Sequence, residues 1–321
     1  MSATPLDYLF SSAGRRADVT LPLTWFMLIV SVVVCLVVAG LLLGSLRGAK
    51  GGGAAETAAE PVRRDHAGGL RWITIGLAIS SVPLLISLIW TMAALAQVAG
   101  PPRRPEMTID VTAHQWWWEA DYHGTEPADS FVTANEIHIP VGVPVEIRLR
   151  GGDVIHSFWV PQLAGKTDTI PGQQNIAWLE ARRPGIFRGQ CAEYCGAEHA
   201  KMGFEVVAQP MAEFQRWRQD QLQPAPPPAT QAQRQGYALT MARCGLCHAI
   251  RGTSATARGG PDLTHLMSRR LIAAAMLPNN PGALGGWIQD PQGVKPGALM
   301  PAQHLSGEQL TDVIAYLETL Q

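Results

Sequence analysis

The chain has 321 residues, of which 47% are apolar and only 16% charged, with a mean hydropathy of +0.05. Soluble domains carry about 25% charge, so these numbers describe membrane and aqueous parts joined in one chain. A net charge of −1 gives no electrostatic case for nucleic-acid binding.

Two runs are free of charge, Val19–Leu46 and Trp72–Ala99. Each exceeds the roughly 20 apolar residues that span a bilayer core. The first is too long for a signal peptide and follows a polar segment, so both are predicted to be retained as a transmembrane hairpin, helices about 19–46 and 72–99 within a segment 1–102. Arg47, Lys50, Arg63, Arg64 and Arg71 place the connecting loop on the cytoplasmic side and both ends outside. Arg15, Arg16, Arg103 and Arg104 weaken that contrast. Lys50–Glu60 reads as flexible linker, and Cys35 as a small apolar residue of the first span.

Residues 103–218 change character. MTIDVTA, EIHIP, VPVEIRL, SFWV, NIAWLEA and GFEVVA are short, β-branched and aromatic, and are separated by Pro, Gly and Asp. They predict an antiparallel β-sandwich or barrel. Near its C-terminal end, Cys191-Ala-Glu-Tyr-Cys195-Gly-Ala-Glu-His199-Ala-Lys-Met202 gathers two thiols, an imidazole and a thioether. Such soft and borderline donors select copper, zinc or iron–sulfur. A single-copper site uses one Cys and two His; here there is an extra Cys and only one His. His156, in DVIHSFW, is the best candidate for a second imidazole. Two thiolates, two imidazoles, a thioether and a backbone carbonyl suit two copper ions bridged by sulfur. A Cys191–Cys195 disulfide leaves His199 and Met202 unexplained, and a Cys₂His₂ zinc site leaves Met202 unused. His114, His123 and His138 read as ordinary strand or loop residues.

Gln223–Thr230 is a proline-rich spacer within the linker 219–230, expected to be extended and semi-rigid. The last unit, 231–321, contains Cys244-Gly-Leu-Cys247-His248, the c-type haem attachment signal. Met300, in GALMPA, is the leading sixth ligand; Met267, Met276, His265 and His304 compete. Gln231–Arg243 reads as a helix feeding the haem motif. Ser306 with Gln309 forms a capping box ahead of a stripe of Leu310, Val313, Ile314 and Leu317. By region the net charge is +2 for 1–102, −4 for 103–218 and +2 for 231–321.

In QWWWEADY (Gln115–Tyr122), DVIHSFWVPQLAGKTDTIPG (Asp153–Gly172) and CAEYCGAEHAKM (Cys191–Met202), the stretch from about 20 to 218 resembles subunit II of haem–copper cytochrome c oxidases. The last unit resembles class I cytochromes c, so the whole is similar to the fused subunit of caa-type oxidases. The resemblance implies a multidomain chain of transmembrane hairpin, all-β cupredoxin sandwich and all-α cytochrome c domain. It implies a binuclear copper centre, CuA, ligated by His156, Cys191, Cys195, His199, Met202 and the Glu193 carbonyl. The Glu193 carboxylate would reach a magnesium shared with subunit I, and Trp116 would be the aromatic residue through which electrons arrive. Gly260-Pro261-Asp262-Leu263 matches the cytochrome segment whose Pro carbonyl accepts the N–H of the haem-ligating His. The family's final helix crosses the first near Gly236 and Tyr237.

The implied function is to take electrons from an external cytochrome or other donor and pass them through haem c and CuA to the oxygen-reducing subunit I. Subunit III is an implied neighbour. The implied place is the bacterial cytoplasmic membrane, with both cofactor domains on the periplasmic side. A nitric oxide reductase relay and a membrane copper-handling protein are the alternatives; a copper carrier has no need of a haem. Two departures stand out. Gln173 follows IPG where the family often has Arg, and Gly69 replaces a Glu before Trp72 at a position of proton uptake, leaving Asp65 as a substitute.

Overall fold

The structure, a computed structural model, describes residues 10–49 and 66–321. It divides into two compact units, Asp18–Gly100 and the remainder of the chain.

The first unit is the helical pair. Helices α1 (Arg15–Ala49) and α2 (His66–Val98) contain the two charge-free runs and extend beyond them at most ends. Both are long and apolar enough to cross a membrane. Their apolar side chains point outward all round, as at Leu36, Leu41 and Trp72, which suits hydrocarbon and not water. Hydroxyls are turned back onto the helix's own carbonyls: Ser31 donates to Met27 O at 2.8 Å and Ser81 to Leu77 O at 2.7 Å. Phe26 of α1 packs on Trp90 of α2 at 5.5 Å. Arg47 closes α1, Arg71 lies in α2, and Cys35 is exposed and free on α1. The expectations for Lys50–Glu60, Arg63, Arg64 and Asp65 fall outside the described residues.

Residues 13–17, which include the first turn of α1, belong to the other unit. The backbone N–H groups of Ala13 and Gly14 donate to Gln162 O, and that of Arg15 to Glu180 O. Gly14 lies so close to the Leu163 backbone that any Cβ would collide with it.

The sandwich has two five-stranded sheets. One has the order β3 (Phe131–Ala134), β2 (Trp117–Tyr122), β1 (Met107–His114), β5 (Val145–Gly151), β8 (Asn175–Leu179). The other runs β4 (Glu136–Pro140), β10 (Gly203–Gln209), β9 (Gly185–Cys191), β6 (His156–Trp159), β7 (Thr167–Thr169). The purely antiparallel expectation needs correction, because β1 pairs with β5 and β4 with β10 in parallel. The cause is topological. After β3 the chain crosses to the second sheet to lay down β4, then returns, so β5 arrives beside β1 running the same way. Alternation in β1 and β2 sends Ile109, Val111, Ala113, Trp118 and Ala120 inward. Trp118 lies at the centre, edge-on to Phe158 at 5.6 Å and 5.2 Å from Phe204. Helix α3 (Met211–Gln221) closes the sandwich, with Phe214 buried and Trp217 stacked on His138 at 4.0 Å.

Residues 219–221 of the expected linker are instead the end of α3, and from Pro224 the chain is extended and seated on the last domain. Ala225 N–H donates to Arg251 O at 3.0 Å, and Gln223 O meets His265 Nε2 at 3.1 Å. Thr230 and Gln233 form a capping box that starts α4 (Gln231–Leu239), which continues as a π turn through Cys244. A short hairpin of β11 (Leu271–Ile272) and β12 (Leu277–Pro278) follows, then α5 (Pro281–Gln289) and α6 (Pro291–Val294). Helix α7 (Gly307–Leu317) begins at the Ser306–Gln309 box. It crosses α4 at Gly236, where the Asp312 carbonyl leaves no room for a Cβ, and Tyr237 meets Tyr316 edge-on at 5.3 Å. Val313, Tyr316, Leu317, Ile288 and Leu284 form this domain's core.

Candidate metal and haem centres

The donor loop is held at both ends by strands. β9 ends on Cys191, β10 begins at Gly203, and Cys191 N–H donates to Met202 O at 3.0 Å across the neck. Gly196 sits at φ +115°, a conformation that favours glycine, with the Trp116 ring 3.0 Å from where a Cβ would stand. Those constraints fold twelve residues back on themselves, so that all the proposed donors face one pocket.

Cys191 Sγ and Cys195 Sγ are free thiols 3.8 Å apart, well beyond the 2.05 Å of a disulfide. His156 Nδ1 lies 3.9 Å from Cys191 Sγ, His199 Nδ1 3.6 Å and Met202 Sδ 3.8 Å from Cys195 Sγ. The Glu193 carbonyl is 3.2 Å from Cys191 Sγ. The ligand atoms of His156, Cys191 and Cys195 all lie within 4.8 Å of one another and are buried. Both imidazoles therefore offer Nδ1 to the thiols, and the thioether and the carbonyl lie at the edge of the same cluster.

Electrostatics prepares this pocket for cations. The Cys195 thiol beside it and the His156 ring hold the Cys191 thiol far below its ordinary value, against the effect of burial. Proximity to Cys191, together with burial, pushes the Cys195 thiol up. The pair keeps one proton that an incoming cation would displace, since metal ligation requires the thiolate.

Asp153 carries a role that its place in the sequence does not announce. It accepts from His156 Nε2 at 2.7 Å and from the backbone N–H groups of Gln115 and Val154, each at 2.6 Å. Burial pushes its carboxyl up, but these hydrogen bonds outweigh it and hold the group below its usual range. Because Asp153 takes Nε2, the ring's Nδ1 is left for a metal. The available signal is a carboxylate three residues before the histidine.

In the last domain a cavity of about 480 Å³ is lined by Cys244, Cys247, His248, Met300 and Trp287, with Trp116 of the sandwich on its far side. His248 Nδ1 donates to Pro261 O at 2.6 Å, the partner expected for it, and burial lowers the ring's pKa, favouring a neutral imidazole. Gly260 lies under that ring, where a Cβ would stand 2.7 Å from Cε1. Of the competitors for the sixth position, His265 has both ring nitrogens on backbone carbonyls, those of Gln321 and Gln223. Met267, Met276 and His304 are not among the lining residues, whereas Met300 is. The donor set fits a covalent haem.

Strand alternation separates Trp117 from Trp118, and Trp116 lies in the turn before β2. Trp118 is core and Trp117 stacks on His114 at 4.5 Å. Trp116 lines the haem cavity and donates Nε1–H to Cys195 O at 3.0 Å.

The haem domain is seated against the sandwich. Arg258 pairs with Glu119 at 2.8 Å and Asp121 at 3.4 Å, and Arg270 with Glu205 at 3.2 Å. Arg270 N–H reaches Glu136 Oε2 at 2.9 Å, and Arg251 donates to Ser130 O at 2.7 Å. Lys295 is 3% exposed and donates to Trp116 O at 2.7 Å. Burial pushes its ammonium down to about 8, with Glu198 acting in the opposite direction.

Residues 107–209 match the family described as "Cytochrome C oxidase subunit II, periplasmic domain", and residues 233–321 match "Cytochrome c". The cytochrome c oxidase subunit 2 of Alkalihalophilus pseudofirmus is 41% identical over 66% of this chain and 61% of its own length. The proteins of the same description from Bacillus sp. PS3 and Bacillus subtilis are 33% and 28% identical, over 67% and 78% of this chain and 62% and 74% of theirs. The chain thus spans about three-fifths of the length of the first two. The periplasmic domain of Bradyrhizobium japonicum oxidase subunit II is similar at 30% identity, covering 37% of this chain and 95% of that one, with a TM-score of 0.35. The two matched domains imply binding of copper and of haem. Residues 107–209 are thus an oxidase subunit II periplasmic domain and residues 233–321 a cytochrome c domain, and the chain is similar to a cytochrome c oxidase subunit 2 that carries its own cytochrome c.

Proposed function

We propose that this chain is the electron-accepting subunit of a terminal respiratory cytochrome c oxidase. In this reading Cys244 and Cys247 bind a haem c covalently, and His248 and Met300 face its iron. His156, Cys191, Cys195, His199, Met202 and the Glu193 carbonyl hold a pair of copper ions. The observation that supports the reading best is the place of Trp116, whose indole lines the haem cavity and is hydrogen-bonded to a residue of the copper loop.

Haem and paired copper each supply a one-electron couple when bound. The residues around them act to keep those couples fixed. Pro261 O locks the His248 ring and Asp153 locks His156, so neither ligand reorients as charge changes. Thiolates, imidazoles, a thioether and a carbonyl would supply the copper ligands, whereas a catalytic metal site keeps a position open for substrate. The oxygen chemistry therefore belongs to subunit I, and this chain relays. A Met300 thioether serving as the second protein ligand beside His248 would suit a haem of raised potential.

The domains 1–102, 103–218, 219–230 and 231–321 then serve as anchor, copper relay, spacer and haem relay. The hairpin holds the chain in the bacterial cytoplasmic membrane with the relay domains on the periplasmic side. Subunits I and III are its neighbours, the Glu193 carboxylate contributes to a magnesium site shared with subunit I, and a cytochrome or other external donor feeds the haem.

The test is metal analysis, haem analysis and flash-photolysis kinetics on the purified oxidase complex. Paired copper and one covalent haem in this chain, with electrons passing from haem to copper ahead of oxygen reduction, is the expected result. Zinc in the sulfur loop, or no haem-to-copper transfer, would overturn the reading. Comparing oxygen with nitric oxide as acceptor distinguishes oxidase from nitric oxide reductase.

A further inference from the structure

Two lysines cross the junction between the domains in opposite directions and land on neighbouring places. Lys201 lies in the copper loop between His199 and Met202, and its Nζ donates to Val294 O of the haem domain at 2.8 Å. Lys295, the next residue along, sends its Nζ back to Trp116 O at 2.7 Å. Burying an ammonium is costly unless its donors are satisfied, so a lysine 3% exposed at a domain junction needs a structural return.

What lies on either side of Lys295 suggests that return. Its own N–H closes α6 onto Pro291 O, and its carbonyl accepts from Ala298 N–H. Gln292 Nε2 donates to Ala298 O at 2.8 Å and Met300 O at 3.2 Å, and Gln292 Oε1 accepts from Gly297 N–H. The segment from Pro291 to Met300 is therefore a braced loop. Gly297, at φ +89°, lays its backbone along the Trp116 ring, where a Cβ would be 3.7 Å from Cη2. On the other side, the Trp116 indole is bonded to Cys195 O.

We infer that Lys295, with Lys201, forms a reciprocal clasp that sets the register between the methionine loop of the haem domain and the cysteine loop of the copper domain, with Trp116 held between them. Lys295 is a positioning residue. It lines the haem cavity without being one of the proposed metal ligands, and acts by fixing the backbone of Trp116. Electron tunnelling weakens exponentially with added distance, so a shift in where the two loops meet lowers the transfer rate. The peripheral ion pairs of Arg258 and Arg270 hold the domains together; the clasp decides where the two loops meet.

This inference rests on the haem-to-copper relay proposed above. The test is Lys295→Met in the complete oxidase, which keeps the stem and removes the donor. The expected result is a haem-to-copper rate lowered several-fold. Covalent haem, haem spectrum, copper content and near-infrared band should be unchanged, and so should oxygen reduction when a soluble photoreductant feeds the copper directly. Lys295→Arg, which keeps a donor, should recover part of the rate. An unchanged rate in Lys295→Met overturns the clasp, as does a slowed rate accompanied by loss of haem or of the copper band. If Lys295→Met does not assemble, Lys201→Ala is put through the same measurements: a slowed rate with intact cofactors supports the clasp, and an unchanged rate overturns it. Failure of the wild-type complex to pass electrons from haem to copper would instead overturn the relay itself, so the two failures are distinct.

Discussion

In the copper loop, every proposed donor but His156 falls within Cys191–Met202, and the fold only has to close a neck between β9 and β10 to bring them together. At the seat of the haem domain the partners are far apart in the chain: Trp116 with Lys295, Glu119 with Arg258, Glu136 with Arg270. The loop tolerates few substitutions, because each donor's chemistry is specified by the metal. The seat is distributed over single side chains and carbonyls, so no one ion pair holds the domains together, although the lysine clasp sets where the two loops meet. Substitutions in the loop should accordingly act all or nothing, and those at the seat should act by degrees.

The largest effect sharpens the first half of that comparison. Cys195→Ser removes a sulfur that lies within 3.8 Å of Cys191 Sγ and Met202 Sδ. The expected outcome is loss of the paired-copper near-infrared band, with covalent haem retained at wild-type content, because the haem attachment residues lie in a domain that has its own hydrophobic core. A surviving band would show that the loop's donors are not the ones assigned.

Next in size is Gly236→Ala, within the haem domain's own framework. A methyl there meets the Asp312 carbonyl, so α4 and α7 must separate. Overpacking of this kind costs about 1–3 kcal/mol. That corresponds to about 4–8 °C per kcal/mol in the haem domain's melting temperature, followed by haem absorption. The copper band should melt at an unchanged temperature, and a shared shift would mean that the seat couples the two domains more tightly than its separate contacts imply.

How much of this is legible in the sequence follows the same division. Cys191, Cys195, His199 and Met202 carry their own spacing, and Cys244-Gly-Leu-Cys247-His248 is a single word. The capping boxes at Thr230 and Ser306 and the charge-free runs are equally local, each decided within a turn or a span. Asp153 is readable only in part, as a carboxylate three residues from a histidine. The parallel pairings β1–β5 and β4–β10 are not readable, because alternation fixes which face a residue takes and says nothing of a neighbouring strand's direction. Lys295 carries no signal either. It is a lysine in a loop until Trp116 O is brought to it by the fold. The −4 and +2 region charges do hint at the attraction that Arg258 and Arg270 realise, without naming a pair.

A smaller effect, dependent on pH, comes from Glu136. It is 7% exposed, bonded to His138 Nε2 at 2.9 Å and to Arg270 N–H of the haem domain at 2.9 Å. Burial pushes its carboxyl up, but the hydrogen bonds and positive charge of His138, the Arg270 N–H and the charge of Arg269 together hold it below the ordinary 4.5. The sign follows from which state binds the proton. The unfolded or undocked carboxyl protonates first as pH falls, so the stabilisation is complete above about 4.5. It is lost progressively as pH drops through the depressed value. Glu136→Gln should therefore be less stable than wild type at neutral pH and should flatten the acid limb, with the two proteins converging in strong acid. Parallel acid limbs would remove Glu136 from the seat's electrostatics.

The smallest effect tests whether the seat is distributed at all. Arg258 contacts two carboxylates, but its side chain is 57% exposed, so solvent and salt screen the pair. Removing it by Arg258→Gln should cost under about 1 kcal/mol of docking. That is less than a factor of 10 in an equilibrium that Arg270, Arg251 and the two lysines still support. The haem-to-copper rate of the variant should equal that of wild type at low ionic strength and fall behind it only as salt weakens the remaining Arg270–Glu205 pair. Adding Arg270→Gln should move that salt dependence to lower concentration without changing the rate in the docked state, since neither arginine touches Trp116 or the methionine loop. If instead Arg258→Gln alone slowed transfer as much as Lys295→Met, the division between contacts that hold the domains together and contacts that set their register would be wrong. The seat would then behave as the copper loop does, with its function resting on each member.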